Sequence, residues 1–319
     1  MSLVLVTGGA GFIGSHLCEA LLTRKYRVRV IDNLFQGNLA NLPESENLEF
    51  IEGDVTDYDT CLSVMEGVEG VFHMAAMSKV LPSLEDPDLI DFCTEQNVIG
   101  TSNVLRAVLA NKDKVRKLIY SGSSTYYGDN PPPHTEDQKE CCQTPYAMSK
   151  YFGELYCKLF TRLHGIPTIR LRYFMAYGPR QPSTGAYAVV TGVFMKKWLA
   201  NEPLTMVGDG TQTRDFIHVS DIAEGICRAF ECDATDAEIN IGTGRSMSIN
   251  ALADLISSER VQMPPRQVDI PHQQADITVM KKLLDWEPKI DAVDYFKTLI
   301  RETIEKNPGK YREPDWMKE

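Results

Sequence analysis

Apolar and polar positions along the chain switch between two periods. Leu3 to Val6 is a short apolar run, Thr7-Gly-Gly-Ala-Gly-Phe-Ile-Gly14 is rich in glycine, and Ile13, Leu17, Ala20 and Leu21 then recur at helical spacing. The pattern predicts a strand, a glycine turn and a helix. A second strand is expected from Arg27 to Ile31, ending in Asp32, and a third from Leu48 to Ile51, ending in Gly53-Asp54-Val55. A helix near Asp57 to Met65 and a strand from Gly70 to His73 follow. A long helix is predicted from near Pro87 to Asn111, with Leu89, Phe92, Val98, Val104, Leu105 and Val108 at its apolar positions and Asn97 as a polar exception. Val115 to Tyr120 reads as a strand that delivers Ser121 to Thr125 to its C-terminal end. Thr144 and Pro145 fit the N-cap and first residue of a helix reaching about His164, and Thr168 to Phe174 is the next strand.

Strands alternating with helices imply an α/β fold, a doubly wound parallel sheet with helices on both faces. Beyond Met175 the alternation weakens and Pro179, Pro182 and Gly185 interrupt it, so a boundary is expected there, with residues 1–174 as one domain and 175–319 as a smaller α/β domain. In the second part, helices are expected over Tyr187 to Leu199, Asp221 to Phe230 and Ile249 to Ser257. A loop from Gly208 should enter a strand through Val219, and Glu238 to Ile241 should be a strand ending in Gly242-Thr-Gly244. Two C-terminal helices are expected near Val279 and Ala292. The chain is expected to cross back to the first domain near 214–242.

Length and charge narrow the function. The 319 residues, 43% of them hydrophobic, can bury a large core. A net charge of -11 argues against nonspecific binding to nucleic acid or to anionic membranes, so any anionic ligand must be held by local groups. The eight cysteines form no CxxC pair and show no metal-ligand spacing with histidine, which points to reduced thiols and no metal site. No stretch approaches the length of an apolar membrane span, and no charged segment leads into a long apolar run. A cytoplasmic protein is expected.

Two constellations carry chemistry. Gly8, Gly11 and Gly14 let the backbone turn tightly and approach a pyrophosphate at a helix N-terminus, with Phe12 and Ile13 opening that helix. Asp32 lies 18 residues past Gly14, where a carboxylate can take the hydroxyls of an adenosine ribose. No arginine or lysine follows it closely, so NAD is favoured over NADP. Asn33, Asp54, Val55, Met74, Ala75 and Ala76 leave neighbouring strand ends and are expected to line the same cofactor. His73 is assigned no chemistry, because a histidine at a strand end is more often packed or hydrogen-bonded. The second constellation is Tyr146 and Lys150, four positions apart on one helix face. A phenol titrates near pH 10, so about 4 kcal/mol of stabilisation is needed to make it a base at neutrality, which a neighbouring ammonium and a cationic nicotinamide can provide.

The motifs TGGAGFIGSHL at Thr7 to Leu17, GDVTD at Gly53 to Asp57, PYAMSK at Pro145 to Lys150, RYFMAYGPRQ at Arg172 to Gln181 and GDGTQTRDFIHVSDIA at Gly208 to Ala223 appear in order. Through them the chain resembles the extended short-chain dehydrogenase/reductase family, and within it the NAD-dependent nucleotide-sugar epimerases and dehydratases. The resemblance implies a Rossmann-type NAD-binding domain followed by a nucleotide-sugar-binding domain, and a homodimer. It further implies Tyr146 as the base, Lys150 on the nicotinamide ribose and lowering the tyrosine pKa, and Ser123 on the substrate oxygen, with Ser124 and Thr125 beside it. Arg214 and Arg266 correspond to the family's diphosphate clamps, although the usual Arg-Pro-Gly-Asp reads Arg-Gln-Val-Asp here. The dehydratases and uronate decarboxylases of the family carry an acidic residue at the place held by Thr125 and Tyr126. Its absence favours 4-epimerisation, most like the UDP-sugar 4-epimerases, over 4,6-dehydration, decarboxylation or a noncatalytic scaffold role. Three positions bear on the sugar. Met175 replaces the family's usual asparagine, Lys79 lies where a cation could pair with a uronate carboxylate or point to solvent, and Gln273 sits where related epimerases control room for an N-acetyl group.

Overall fold

In the computed structural model, which describes residues 1–78, 82–85, 87–185, 188–265 and 270–318, the predicted alternation becomes one sheet. Its strands and helices begin with β1 (Leu3–Thr7), α1 (Phe12–Thr23), β2 (Arg27–Asp32), β3 (Leu48–Glu52), α2 (Tyr58–Ser63) and β4 (Val68–His73). The chain continues through α3 (Pro82–Glu85), α4 (Pro87–Thr94), α5 (Gly100–Ala110), β5 (Lys117–Ser123), α6 (Pro145–His164) and β6 (Thr168–Tyr173). The remainder comprises β7 (Met175–Tyr177), α7 (Val190–Leu199), β8 (Leu204–Val207), β9 (Thr213–Arg214), β10 (Phe216–His218), α8 (Val219–Glu231) and β11 (Asp236–Ile241). It ends with β12 (Met247–Ser248), α9 (Ile249–Ile256), β13 (Arg260–Met263), α10 (Thr278–Leu284) and α11 (Ala292–Lys306).

Seven strands form a parallel sheet in the order β11-β6-β5-β4-β1-β2-β3. Strand side chains alternate between faces, and the two faces are covered by different helices. Val4 and Val6 join Leu17 and Leu21 of α1 and Ile222, Ile226 and Phe230 of α8 in one apolar cluster. Leu5 and Val71 turn the other way, toward Val104, Leu105 and Val108 of α5 and Cys157 of α6. A third cluster, around Trp198, Leu204, Leu252, Phe296 and Ile300, holds α7, β8, α9 and α11 together. Strand β11 sits at the sheet edge beside β6, and α8 packs on α1, so both belong to the sheet's own layers.

Three expectations change. The long helix is not uniform: α4 passes into α5 through a π turn at Glu95–Ile99, which inserts the extra residue that brings Asn97 inward. The helix expected from Tyr187 begins at Val190, and residues 186 and 187 lie outside the described ones. Short strands with mixed polarity escaped the pattern altogether, as in the parallel pair of β8 with β13 and the antiparallel pair of β9 with β12. Thr144 does cap α6, its hydroxyl accepting from the N–H of Ala147 at 3.0 Å.

Candidate active site

A cleft of about 640 Å³ runs along the C-terminal ends of the central strands, lined at one end by Asp32, Asn33 and Val55 and at the other by Ser121, Tyr146, Lys150 and Tyr173. Parallel sheets place ligands there because the turns leaving β1, β2 and β4 diverge around a crevice. Gly8 has φ +69°, and a Cβ on it would approach the backbone of Ala75 to 2.7 Å. A Cβ at Gly14 would run into the carbonyl oxygen of Gly8. Glycine at both positions keeps the β1 turn flat against β4 and against the start of α1. That start carries no side-chain cap, so first-turn N–H groups at Phe12 and Ile13 are left for a ligand.

Asp32 is nearly buried and accepts from the N–H groups of Ala10 at 3.0 Å and Leu34 at 2.8 Å. Burial pushes its pKa up, against those two hydrogen bonds. Asp54 lies behind Asn33 rather than along the cleft. Burial pushes its carboxyl up, but hydrogen bonds from Thr56, from Asn33 at 2.7 Å and from Gln96 outweigh this and hold it low. It thereby positions Asn33 and Gln96, which do line the cleft. Met74, Ala75 and Ala76 line it too, as do the glycine-turn residues Gly8, Gly11, Phe12 and Ile13. His73 is packed below them: Nδ1 accepts from Thr7 Oγ1 at 2.8 Å, and Nε2 donates to Thr101 Oγ1 at 2.9 Å, since Thr101 gives its own proton to the carbonyl of Asn97. Burial drives its pKa down to about 3, which keeps the ring neutral.

At the other end, β5 delivers Ser123 and α6 delivers Tyr146 and Lys150. Ser123 hydrogen-bonds the Tyr146 phenol, meets Thr125 Oγ1 at 2.9 Å and accepts from the Thr125 N–H at 3.2 Å. Burial raises the Tyr146 pKa and the Ser123 hydrogen bond lowers it. Lys150 was expected to lower it as well. Instead burial pulls Lys150 itself down to about 7, so in the free chain its ammonium is only partly charged at neutrality. Lys150 Nζ lies 4.5 Å from the centroid of the Tyr120 ring and has no hydrogen-bond partner, although it is fully buried. A buried donor of this kind requires an acceptor from a ligand, and paired ribose hydroxyls satisfy it. The open helix N-terminus, the flat glycine turn, Asp32 and the orphaned Lys150 together fit NAD.

The substrate positions are only partly assembled. Ser124 and Gln273 come together, with Gln273 Nε2 3.5 Å from Ser124 Oγ and both residues buried. Met175 packs against the third apolar cluster, and its N–H donates to the carbonyl of Asp215 at 2.9 Å. Arg214 is nearly buried and donates to the carbonyls of Thr213 and Ile270 at 2.8 and 2.7 Å. A second cavity, of about 790 Å³, lies beside its strand between Gly208 to Gln212 and Gln262 to Pro265. Lys79 and Arg266 lie outside the described residues. Sequence reasoning missed several residues that line the main cleft, among them Phe35, Gln36, Phe92, Gln96 and Arg180. Arg180 stood in a quoted motif, but its pairing with Glu19 of α1, at 2.8 Å through both terminal nitrogens, is a long-range contact that no local pattern announces.

Comparison with known proteins agrees with this geometry. A family model described as NAD dependent epimerase/dehydratase family matches residues 4–242. A UDP-N-acetyl-alpha-D-glucosaminuronate decarboxylase of Bacillus cytotoxicus is 34% identical over 321 residues, 94% of this chain and 96% of that protein. A UDP-glucose 4-epimerase of Mycolicibacterium smegmatis is 34% identical over 298 residues, 90% of this chain and 93% of that protein. The crystal structure of a UDP-glucose 4-epimerase from Thermotoga maritima with UDP-glucose superposes with a TM-score of 0.87 at 34% identity, covering 95% of this chain and 99% of that one.

Proposed function

Since the chain belongs to the NAD dependent epimerase/dehydratase family, we propose that it is a nucleotide-sugar 4-epimerase acting on a UDP-sugar through a transient 4-keto sugar. The observation that carries this reading is the chemistry around Tyr146. The groups at the end of β5 are the hydroxyls of Ser121, Ser123, Ser124 and Thr125, and among the described residues lining the cleft Asp32, at the far end, is the sole carboxylate. Eliminating water across the sugar requires an acid and a base beyond the tyrosine, and Thr125 and Tyr126, where the dehydratases carry an acidic residue, hold no carboxylate. Epimerisation at C4 needs one proton carrier.

Bound NAD supplies the acceptor, and then the donor, of the C4 hydride. Tyr146 removes the O4 proton, keeps it while the 4-keto sugar turns over, and returns it to the same oxygen. Ser123 both donates and accepts, so it follows that oxygen from alcohol to ketone without losing its partner. Lys150 would give its unpaired N–H groups to the ribose of bound NAD. Acceptors there would favour its charged form, which would in turn favour a phenolate at Tyr146. Tyr146 in the free chain is thus a resting acid, made basic by cofactor binding. Ser124 and Gln273 meet the sugar, and Arg214 with Arg266 meets the diphosphate. Met175 offers no amide hydrogen bonds, so the sugar's orientation differs from the family's or is held by other groups.

Incubation with UDP-glucose, UDP-galactose, their N-acetyl forms and UDP-glucuronate, read by mass and by sugar configuration, tests the reading. Interconversion of one 4-epimeric pair at constant mass is expected. Loss of water or of carbon dioxide contradicts it. We further propose a homodimer in the cytoplasm. Apolar side chains exposed on α6, including Met148, Phe152 and Leu155, and Ile90 and Ile99 on the adjoining α4 to α5 stretch support the first. Eight free cysteines and the absence, among the described residues, of a helix long and apolar enough to cross a membrane fit the second.

A further inference from the structure

β2 and β4 flank β1 in the sheet, so the segments leaving their C-terminal ends stand on either side of the glycine turn. Contacts between those segments therefore cross above it. Phe35, after β2, packs its ring on Phe92 of α4, with centroids 4.9 Å apart and planes at 56°. Gln36 Oε1, next in the chain, receives Ser78 Oγ at 3.5 Å. All four residues line the same cleft as Asp32 and Val55, at the end where the adenosine belongs. The strap carrying Phe35 and Gln36 is built in advance. The Asn33 side chain accepts from the N–H of Phe35, Asp32 accepts from that of Leu34, and the N–H of Asn38 donates to the carbonyl of Ala10. Gly37 sits so close below that a Cβ on it would approach Asp32 Oδ1 to 2.6 Å. Phe35 is nevertheless 56% exposed. Its ring is held at the rim of the cleft, and an aromatic base beneath it would cover the apolar face it shows to water.

We propose that Phe35 and Phe92 form an aromatic gate over the adenosine half of bound NAD and set the rate at which the cofactor leaves. The inference rests on the NAD-dependent reading above. An epimerase regenerates its cofactor at each turnover, so a cofactor roofed in place serves it better than one exchanged freely. The ring pair has the centroid spacing of a favourable aromatic contact, and breaking such a contact is worth up to roughly a tenfold change in a rate that requires it to open.

Wild type, Phe35→Ala, Phe92→Ala, the double variant and Phe35→Trp are loaded with NAD and stripped of free nucleotide. Retained NAD is then measured against time. Each alanine variant is expected to release NAD faster than wild type, by roughly two- to tenfold. The double variant should be no faster than either single one, because losing one ring already opens the gate, and Phe35→Trp should stay near the wild-type rate. Unchanged release in both single variants overturns the gate. So does a double variant whose effect is the product of the two singles, which would mean two separate contacts. A wild type that holds no NAD at all sinks the cofactor reading together with the gate, whereas a wild type that holds it no longer than the variants sinks the gate alone.

Discussion

Lys150 behaves differently from what its residue type suggests, because of where it is buried. In water its ammonium titrates near 10.5, but beneath Tyr120 and without a partner it falls to about 7. A base whose folded pKa is depressed leaves the unfolded chain holding more protons between those two values, so this group's contribution to stability rises with pH from about 7 to about 10.5. The stability difference between wild type and Lys150→Met, read by urea unfolding of the NAD-free protein, should therefore move in favour of wild type across that window, by on the order of 1.4 kcal/mol per pH unit at most. A difference that stays flat with pH contradicts the burial argument. Tyr146→Phe should keep NAD bound and lose roughly a thousandfold in turnover, the scale of a general base. Full turnover in that variant would remove Tyr146 from the mechanism. The spacing of Tyr146 and Lys150 is visible in the sequence. Their protonation is not, because it depends on the depth of burial that tertiary packing imposes and on Ser123, which another strand delivers.

Among the elements, the stretch from α4 to α5 shows what a period of 3.6 can and cannot reveal. Asn97 stood out as a polar residue on an apolar face. The π turn explains it: Asn97 Oδ1 accepts from the N–H of Met77 at 2.8 Å, and Nδ2 donates to the carbonyl of Met77 at 3.0 Å and to Ser149 Oγ at 2.9 Å. One side chain thus ties the β4 exit, which lines the cleft, to α6 next to Lys150. Asn97→Leu removes all three of these hydrogen bonds and puts an apolar side chain in their place, and should lower unfolding free energy by about 1 to 3 kcal/mol, measured by denaturant unfolding. A loss under half a kcal/mol would show that the clamp is dispensable. The core strands were legible because Val, Ile and Leu runs between glycine turns leave few alternatives. β8 and β13 were not, since Leu-Thr-Met-Val and Arg-Val-Gln-Met are short, mixed in polarity and meaningful only once paired.

At the scale of the whole molecule, the doubly wound parallel sheet was readable in sequence, whereas its strand order, the surfaces and the substrate end were not. Phe152 is 48% exposed on α6 beside other apolar groups, as expected of a helix that meets a second copy. Wild type should show about twice the 35.8 kDa monomer mass by light scattering, and Phe152→Glu should return it to the monomer while retaining NAD. A monomeric wild type contradicts the dimer. The Arg180 contact to Glu19 ties the loop after β7 onto α1, across 161 positions of sequence, and shows why the cleft's far wall could not be anticipated locally. The central claim is that the sugar's C4 hydrogen leaves and returns within the site while only O4 exchanges a proton through Tyr146. Turnover of the accepted UDP-sugar in deuterated water tests it most directly. Both epimers should carry no deuterium on carbon after many turnovers, and deuterium appearing at C5 or C6 would mark elimination or decarboxylation chemistry and contradict 4-epimerisation.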